Sequence, residues 1–226
     1  MLNLKRITIF TGNLGSGKTE IAINLALSLM RQGKRTALVD LDVINPYFRT
    51  RLVKKKLEEL GLKVVAQGGD LTFADLPSLS PAVKGVIENT EVNGVFDVGG
   101  DDVGATALGR YRDSLLETQF QMLFVANTCR PFTRSPEGII KYINSIQKAA
   151  GITVAGLVSN ANLGLETGLD TILEGFDMVS RVSGLLNLPV AFAAVNECLE
   201  KDARKSLGET VEVLPIHRFM NTPWLL

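Results

Sequence analysis

A strand-length apolar run, Ile7-Thr8-Ile9-Phe10, leads directly into Gly12-Asn13-Leu14-Gly15-Ser16-Gly17-Lys18-Thr19, which fits the pattern G-x-x-x-x-G-K-[ST]. Polyphosphate is multiply anionic, so a loop that binds it must turn successive backbone N–H groups inward and let the main chain approach closely. Gly12, Gly15 and Gly17 permit this by lacking Cβ. Residues Glu20 to Arg31 read as the following helix, whose N-terminal dipole adds to the anion site. Lys18 has the reach to bridge the β- and γ-phosphates, and the Thr19 hydroxyl is placed to ligate Mg²⁺. The expected nucleotide contacts are therefore Gly12, Asn13, Leu14, Gly15, Ser16, Gly17, Lys18 and Thr19, with Lys18 also a catalytic cation.

Composition agrees with a nucleotide-binding domain. A chain of 226 residues, 46% of them hydrophobic, can bury one sizeable α/β core, and a single domain over 1–226 is expected. Basic and acidic residues balance at 24 each, which leaves no global field to hold nucleic acid or anionic lipid. The start, Met1 to Arg6, lacks the length and cleavage site of a signal peptide, and no apolar run approaches the ~20 residues of a membrane span, so a cytoplasmic location is expected. Cys129 and Cys198 form no C-x-x-C and His217 is the lone histidine, so neither a zinc site nor a Cys-His pair assembles within one chain. Each cysteine is expected to be a buried small hydrophobe, with redox or metal work by Cys129 across a dimer axis left open.

Along the chain, strand-length apolar runs alternate with amphipathic helical stretches. Strands are expected at Arg35–Leu41, Leu62–Ala66, Val95–Val98, Gln121–Ala126, Ile152–Val158, Pro189–Ala194 and Val211–Leu214, with Asn93-Gly94 as a turn. Helices are expected from Asn45-Pro46 to Gly61, from Ser80-Pro81 to Asn89, and over Arg110–Glu117, Ser135–Ala150, Gly168–Leu186 and Glu200–Leu207. Gln67–Ser80 reads as irregular, and is the best place for an acceptor pocket. Runs such as Val154-Ala155-Gly156-Leu157-Val158 are apolar on both faces, which indicates a doubly wound, mostly parallel sheet covered by helices on both sides.

Carboxylates at other strand ends extend the site. Val39-Asp40-Leu41-Asp42 ends one strand with D-x-D, and Phe96-Asp97-Val98-Gly99-Gly100 ends another with D-x-G-G. In an open parallel sheet these ends share the rim that carries the phosphate loop. Asp97 is the expected metal carboxylate, and Gly100 offers a backbone N–H to the γ-phosphate. One of Asp40 and Asp42 is expected to orient the attacking water and the other to steady the metal. Asp101 to Ala105 reads either as a switch loop or as a plain helix start.

Strand, phosphate loop, D-x-D and D-x-x-G in this order resemble the MinD/ParA/ArsA-type ATPases of the SIMIBI class. The resemblance implies Asp42 as the water-polarising residue, Asp40 as its metal-side neighbour, and Asn160 in Ser159-Asn160 as the residue that reads the base. MinD and ParA proteins carry a signature lysine where this chain has Asn13, so the lysine exchange between paired subunits is absent from the pattern, although a homodimer stays open. An N-K-x-D guanine motif is also lacking: neither Asn127-Thr128-Cys129-Arg130 nor Asn160-Ala161-Asn162-Leu163 supplies the Asp, which favours ATP over GTP. The expected function is a Mg-ATP-dependent switch ATPase with slow basal turnover, acting on a protein, metal or cargo partner. Arg49 or Arg112 is a candidate accelerating cation. The alternative is a small-molecule kinase or ATP-dependent ligase.

Overall fold

Eight strands hydrogen-bond into one all-parallel sheet in the order β3-β2-β4-β1-β5-β6-β7-β8. They are β1 (Ile7–Thr11), β2 (Thr36–Leu41), β3 (Lys63–Ala66), β4 (Asn93–Val98), β5 (Phe120–Ala126), β6 (Gly156–Ser159), β7 (Val190–Asn196) and β8 (Val213–Ile216). Between them run α1 (Lys18–Arg31), α2 (Thr50–Glu59), α3 (Pro81–Glu88), α4 (Asp102–Gly109), α5 (Arg112–Leu116), α6 (Pro136–Ala150), α7 (Leu169–Leu186) and α8 (Glu200–Leu207). The computed structural model describes residues 2–41, 50–66, 80–100 and 102–220.

Alternate residues of each strand feed opposite cores. Ile9, Val39, Phe96 and Phe124 pack with Val83, Leu108, Ile143 and Val179 on one face, while Phe10, Leu38, Val95 and Val125 pack with Ile21, Leu25 and Leu57 on the other. Two-sided burial is why these strands read as continuous apolar runs. β1 lies at the centre: β2 to β4 stand on one side of it and β5 to β8 on the other. A reversal of strand order opens a crevice at the carboxyl end of β1, which is where the glycine-rich loop begins.

Several expectations change in register. Asn93-Gly94 is the start of β4 and not a turn, because Gly94 pairs with both Ile7 and Ala37, and a Cβ there would stand 2.7 Å from Ile7 Cδ1. The chain instead reverses at Asn89–Val92, where the Arg6 guanidinium donates to the carbonyls of Val86, Ile87, Asn89 and Val92 and so satisfies the free end of α3. Burial at this clasp lowers the Arg6 pKa from its ordinary value. The expected strand from Ile152 begins as β6 only at Gly156: Ala155 N–H already reaches the Met122 carbonyl of β5 at 2.8 Å, but Val154 N–H goes to the Gln147 side chain at 2.8 Å. Of the segment expected to be irregular, residues 67–79 lie outside the described residues, as do Asn45 to Arg49.

Candidate nucleotide-binding site

The loop from Gly12 to Gly17 joins β1 to α1, and the helix begins at Lys18, two residues earlier than expected. Gly17 is its N-cap at φ +91°, and no side chain caps the first turn, at the end of the helix that borders the loop. A Cβ at Gly17 would combine this left-handed backbone with a 2.3 Å approach to Asn160 Nδ2. Gly100 is required by proximity alone: its Cβ would stand 2.4 Å from the Gly12 carbonyl oxygen. Gly100, two residues beyond β4, thus lies against the main chain of the phosphate loop. Ser16 Oγ, inside the loop, is buried and has no hydrogen-bond partner among the described residues, as does Thr11 Oγ1 at the end of β1.

Three expected ligands meet beside the loop. Thr19 Oγ1 donates to Asp97 Oδ2 at 2.6 Å. Asp97 and Asp40 are direct partners in the β4–β2 register, so both carboxylates leave the sheet at the same level, and both are buried. Lys18 is buried as well, and its Nζ donates to the Asn13 carbonyl oxygen at 3.1 Å. An all-oxygen donor set of one hydroxyl and two carboxylates suits Mg²⁺, a hard cation that keeps waters and takes further ligands from phosphates. No group of three or more His, Cys, Asp or Glu among the described residues is placed to hold a metal ion. Asp42 and Asp101 lie outside the described residues, and Asp102 opens α4, its Oδ1 accepting from Ser145 Oγ at 3.0 Å.

On the opposite flank, Asn160 at the end of β6 donates its Nδ2 to the Ser16 carbonyl at 2.6 Å. That nitrogen helps to shape the loop at the residue expected to read the base. Two neighbours were not foreseen as site residues. Asn127, at the end of β5, donates to the Gly15 and Asn162 carbonyls at 3.4 and 3.1 Å and accepts from the N–H groups of Cys129 and Asn162 at 3.0 and 3.2 Å. Arg130 donates from Nε to the Gly15 carbonyl at 3.1 Å, which brings an exposed guanidinium to the loop. The sequence signal for Asn127 was a polar residue straight after an apolar strand on the same rim, and Arg130 follows three residues later.

Other candidates stand elsewhere. Arg112 donates to the Gly151 carbonyl at 2.8 Å, at the start of the path into β6, so it occupies the amino-end rim, opposite the phosphate loop. The expectation of Arg112 as an accelerating cation is corrected. Both cysteines are free thiols; Cys129 is half-buried and Cys198 exposed, so the expected burial fails for Cys198. Asn13, 5% exposed, is folded into the loop, whereas its neighbour Leu14 is 63% exposed. Lys54 pairs with Glu58 along the outer face of α2 at 3.7 Å, as a solvated helix face does. No helix among the described residues is long and apolar enough to cross a membrane.

Residues 7–211 match the family described as the CobQ/CobB/MinD/ParA nucleotide binding domain. No curated protein matches the sequence. Similar solved structures include the cell division protein FtsY of Thermotoga maritima, with TM-score 0.58 and 18% identity over 84% of this chain and 62% of that one. Chloroplast FtsY of Physcomitrella patens has TM-score 0.57 and 20% identity over 84% of this chain and 58% of that one. The signal recognition particle receptor FtsY of Elizabethkingia anophelis, in complex with GDP, has TM-score 0.53 and 18% identity over 84% of this chain and 57% of that one. The chain therefore spans about three fifths of the length of these neighbours, and the likeness is one of fold.

Proposed function

Since the chain belongs to the CobQ/CobB/MinD/ParA nucleotide-binding family, a SIMIBI-class P-loop domain, we propose that it binds Mg-ATP and hydrolyses it slowly as a switch for a protein, metal or cargo partner. The observation that carries this reading is the Thr19–Asp97 hydrogen bond beside the register-matched Asp40, because it gathers the oxygen ligands of a phosphate-bound Mg²⁺ next to an uncapped helix start. Lys18, now turned onto the Asn13 carbonyl, would exchange that neutral acceptor for phosphate oxygens and gain charge-assisted bonds. Thr19, Asp97 and Asp40 would hold Mg²⁺, which when bound would neutralise phosphate charge. Asp42 is proposed to orient the water, Gly100 to offer its N–H at the γ-phosphate, and the other loop residues to contact the nucleotide.

Adenine is preferred because a guanine edge needs a carboxylate for its N1–H and N2–H donors. Leu163 stands where that carboxylate belongs, and each unmatched buried donor costs about 1–3 kcal/mol. The GDP complex of the Elizabethkingia FtsY makes GTP the competitor to measure. Asn13 is buried in the loop and carries no charge to offer across a subunit boundary, which supports slow intrinsic turnover. The exposed Arg130 guanidinium lies beside the loop and replaces Arg112 as the candidate for accelerating turnover.

Calorimetric titration with ATP and GTP in Mg²⁺ tests the base, and phosphate release with and without cell extract tests the switch. ATP binding with slow release that a protein fraction stimulates is expected. Phosphate appearing only on a small-molecule acceptor would establish the kinase or ligase alternative, and preference for GTP would refute the adenine assignment.

A further inference from the structure

We propose that residues 217–220, which follow β8, form a wall of the nucleoside subsite, and that Glu20 and Asn24 of α1 are the positioning residues that hold this wall in place. The proposal rests on the triphosphate reading of the phosphate loop. Both described metal carboxylates, Asp40 and Asp97, belong to β2 and β4, on one side of β1. With triphosphate and metal on that side, the nucleoside extends over the carboxyl ends of β5 to β8. Asn160, Glu197 and His217 leave the sheet there.

The segment is held against the start of α1 by the side chains of Glu20 and Asn24. The Glu20 carboxylate accepts the Phe219 N–H at 3.1 and 3.0 Å through its two oxygens, and the Met220 N–H at 2.6 Å. One turn on, Asn24 treats His217 as a neighbouring strand would: Nδ2 donates to the His217 carbonyl at 2.8 Å and Oδ1 accepts its N–H at 2.9 Å. His217 Nδ1 reaches Glu197 Oε1 at 2.8 Å, tying the segment to the end of β7, and Lys56 Nζ lies 5.4 Å from the Phe219 ring centroid. Met220 is buried in the core beneath α1.

Charge explains why such a clasp is needed. Glu20 directly follows Thr19, and a free carboxylate at that position would repel a polyphosphate. Two backbone N–H groups donate to the carboxylate and turn it toward the segment, so the acidic residue positions what stands beside the anion site.

The test uses the full chain and two probes, Mg-ATP (with Mg-GTP in parallel) and Mg-tripolyphosphate, which has the anion but no nucleoside. Isothermal titration is done on the wild type, Glu20→Gln and Asn24→Ala, with thermal melting alongside. In both variants the affinity ratio of nucleotide to tripolyphosphate is expected to fall about tenfold, as loss of contacts in the nucleoside subsite requires, with tripolyphosphate affinity held within about twofold. Retained tripolyphosphate binding also certifies the fold. An unchanged ratio overturns the proposal, and a raised ratio overturns it too, since the segment would then obstruct the nucleoside. Failure of the wild type to bind tripolyphosphate would instead sink the phosphate-loop reading, and the proposal with it.

Discussion

Replacing Gly100 by alanine is the most direct probe of the loop geometry. The added Cβ would stand 2.4 Å from the Gly12 carbonyl oxygen and 2.8 Å from both Asn13 C and Leu14 N. All three are backbone atoms, so no rotamer change relieves the clash, and restoring contact requires a displacement on the order of 1 Å. A misplacement of that size at a reacting centre costs about 10²-fold in rate. Overpacking adds a loss of about 1–3 kcal/mol in stability. Gly85→Ala in α3, where nothing lies within 4 Å of the new Cβ, is the control and is expected to be neutral or slightly stabilising. Single-turnover phosphate release and urea denaturation read the two effects. Wild-type turnover and stability in Gly100→Ala would show that β4 does not support the phosphate loop and that the close approach of these backbones carries no function.

Further outcomes follow from the same contacts. Lys18→Ala is expected to abolish Mg-ATP binding with its melting temperature preserved, since its Nζ contacts a carbonyl of the loop; calorimetric titration checks this. Asp97→Asn weakens the Mg²⁺ dependence of binding, read by titrating Mg²⁺ at fixed nucleotide, whereas Asp42→Asn retains ATP and loses turnover. Asn13→Ala leaves phosphate release within a few-fold of wild type and independent of protein concentration, because the side chain is folded inward. Desolvation raises the Glu20 pKa, outweighing the N–H bonds from Met220 and Phe219 and the nearby Arg218 and His217 charges, which lower it. A carboxyl raised on folding contributes stability that is fully present below its unfolded value of about 4.3 and is lost as pH rises through the folded value. Urea melts of the wild type should therefore show that loss, and Glu20→Gln should lack it.

The phosphate loop, Asp97 and Gly100 were legible in the sequence because each is a local pattern next to an apolar strand, and the sheet was legible because burial on both faces leaves the strands largely apolar. The pairing of Asp40 with Asp97 was not, since register between β2 and β4 is set by neighbours more than fifty residues apart in sequence. Asn93-Gly94 misled for a related reason: the dipeptide favours a turn, but the narrow space beside Ile7 makes glycine a packing requirement.

Glu20 and Asn24 show the limit of local pattern most clearly. At i and i+4 in the first turns of a helix they read as an ordinary polar edge, yet their partners are at 219–220 and 217, nearly the whole chain away. The sheet order makes this contact possible by placing β8 on the same side as β5 and β6, and α1 packs against β8 as well as β4 and β2. One helix thus presents its N-terminal N–H groups to the anion site and its first polar side chains to the far end of the chain. A displacement of residues 217–220 would act on Glu20, and Glu20 shares its turn of α1 with Lys18 and Thr19, so nucleoside-side and metal-side contacts are coupled through that turn without any contact between the two walls.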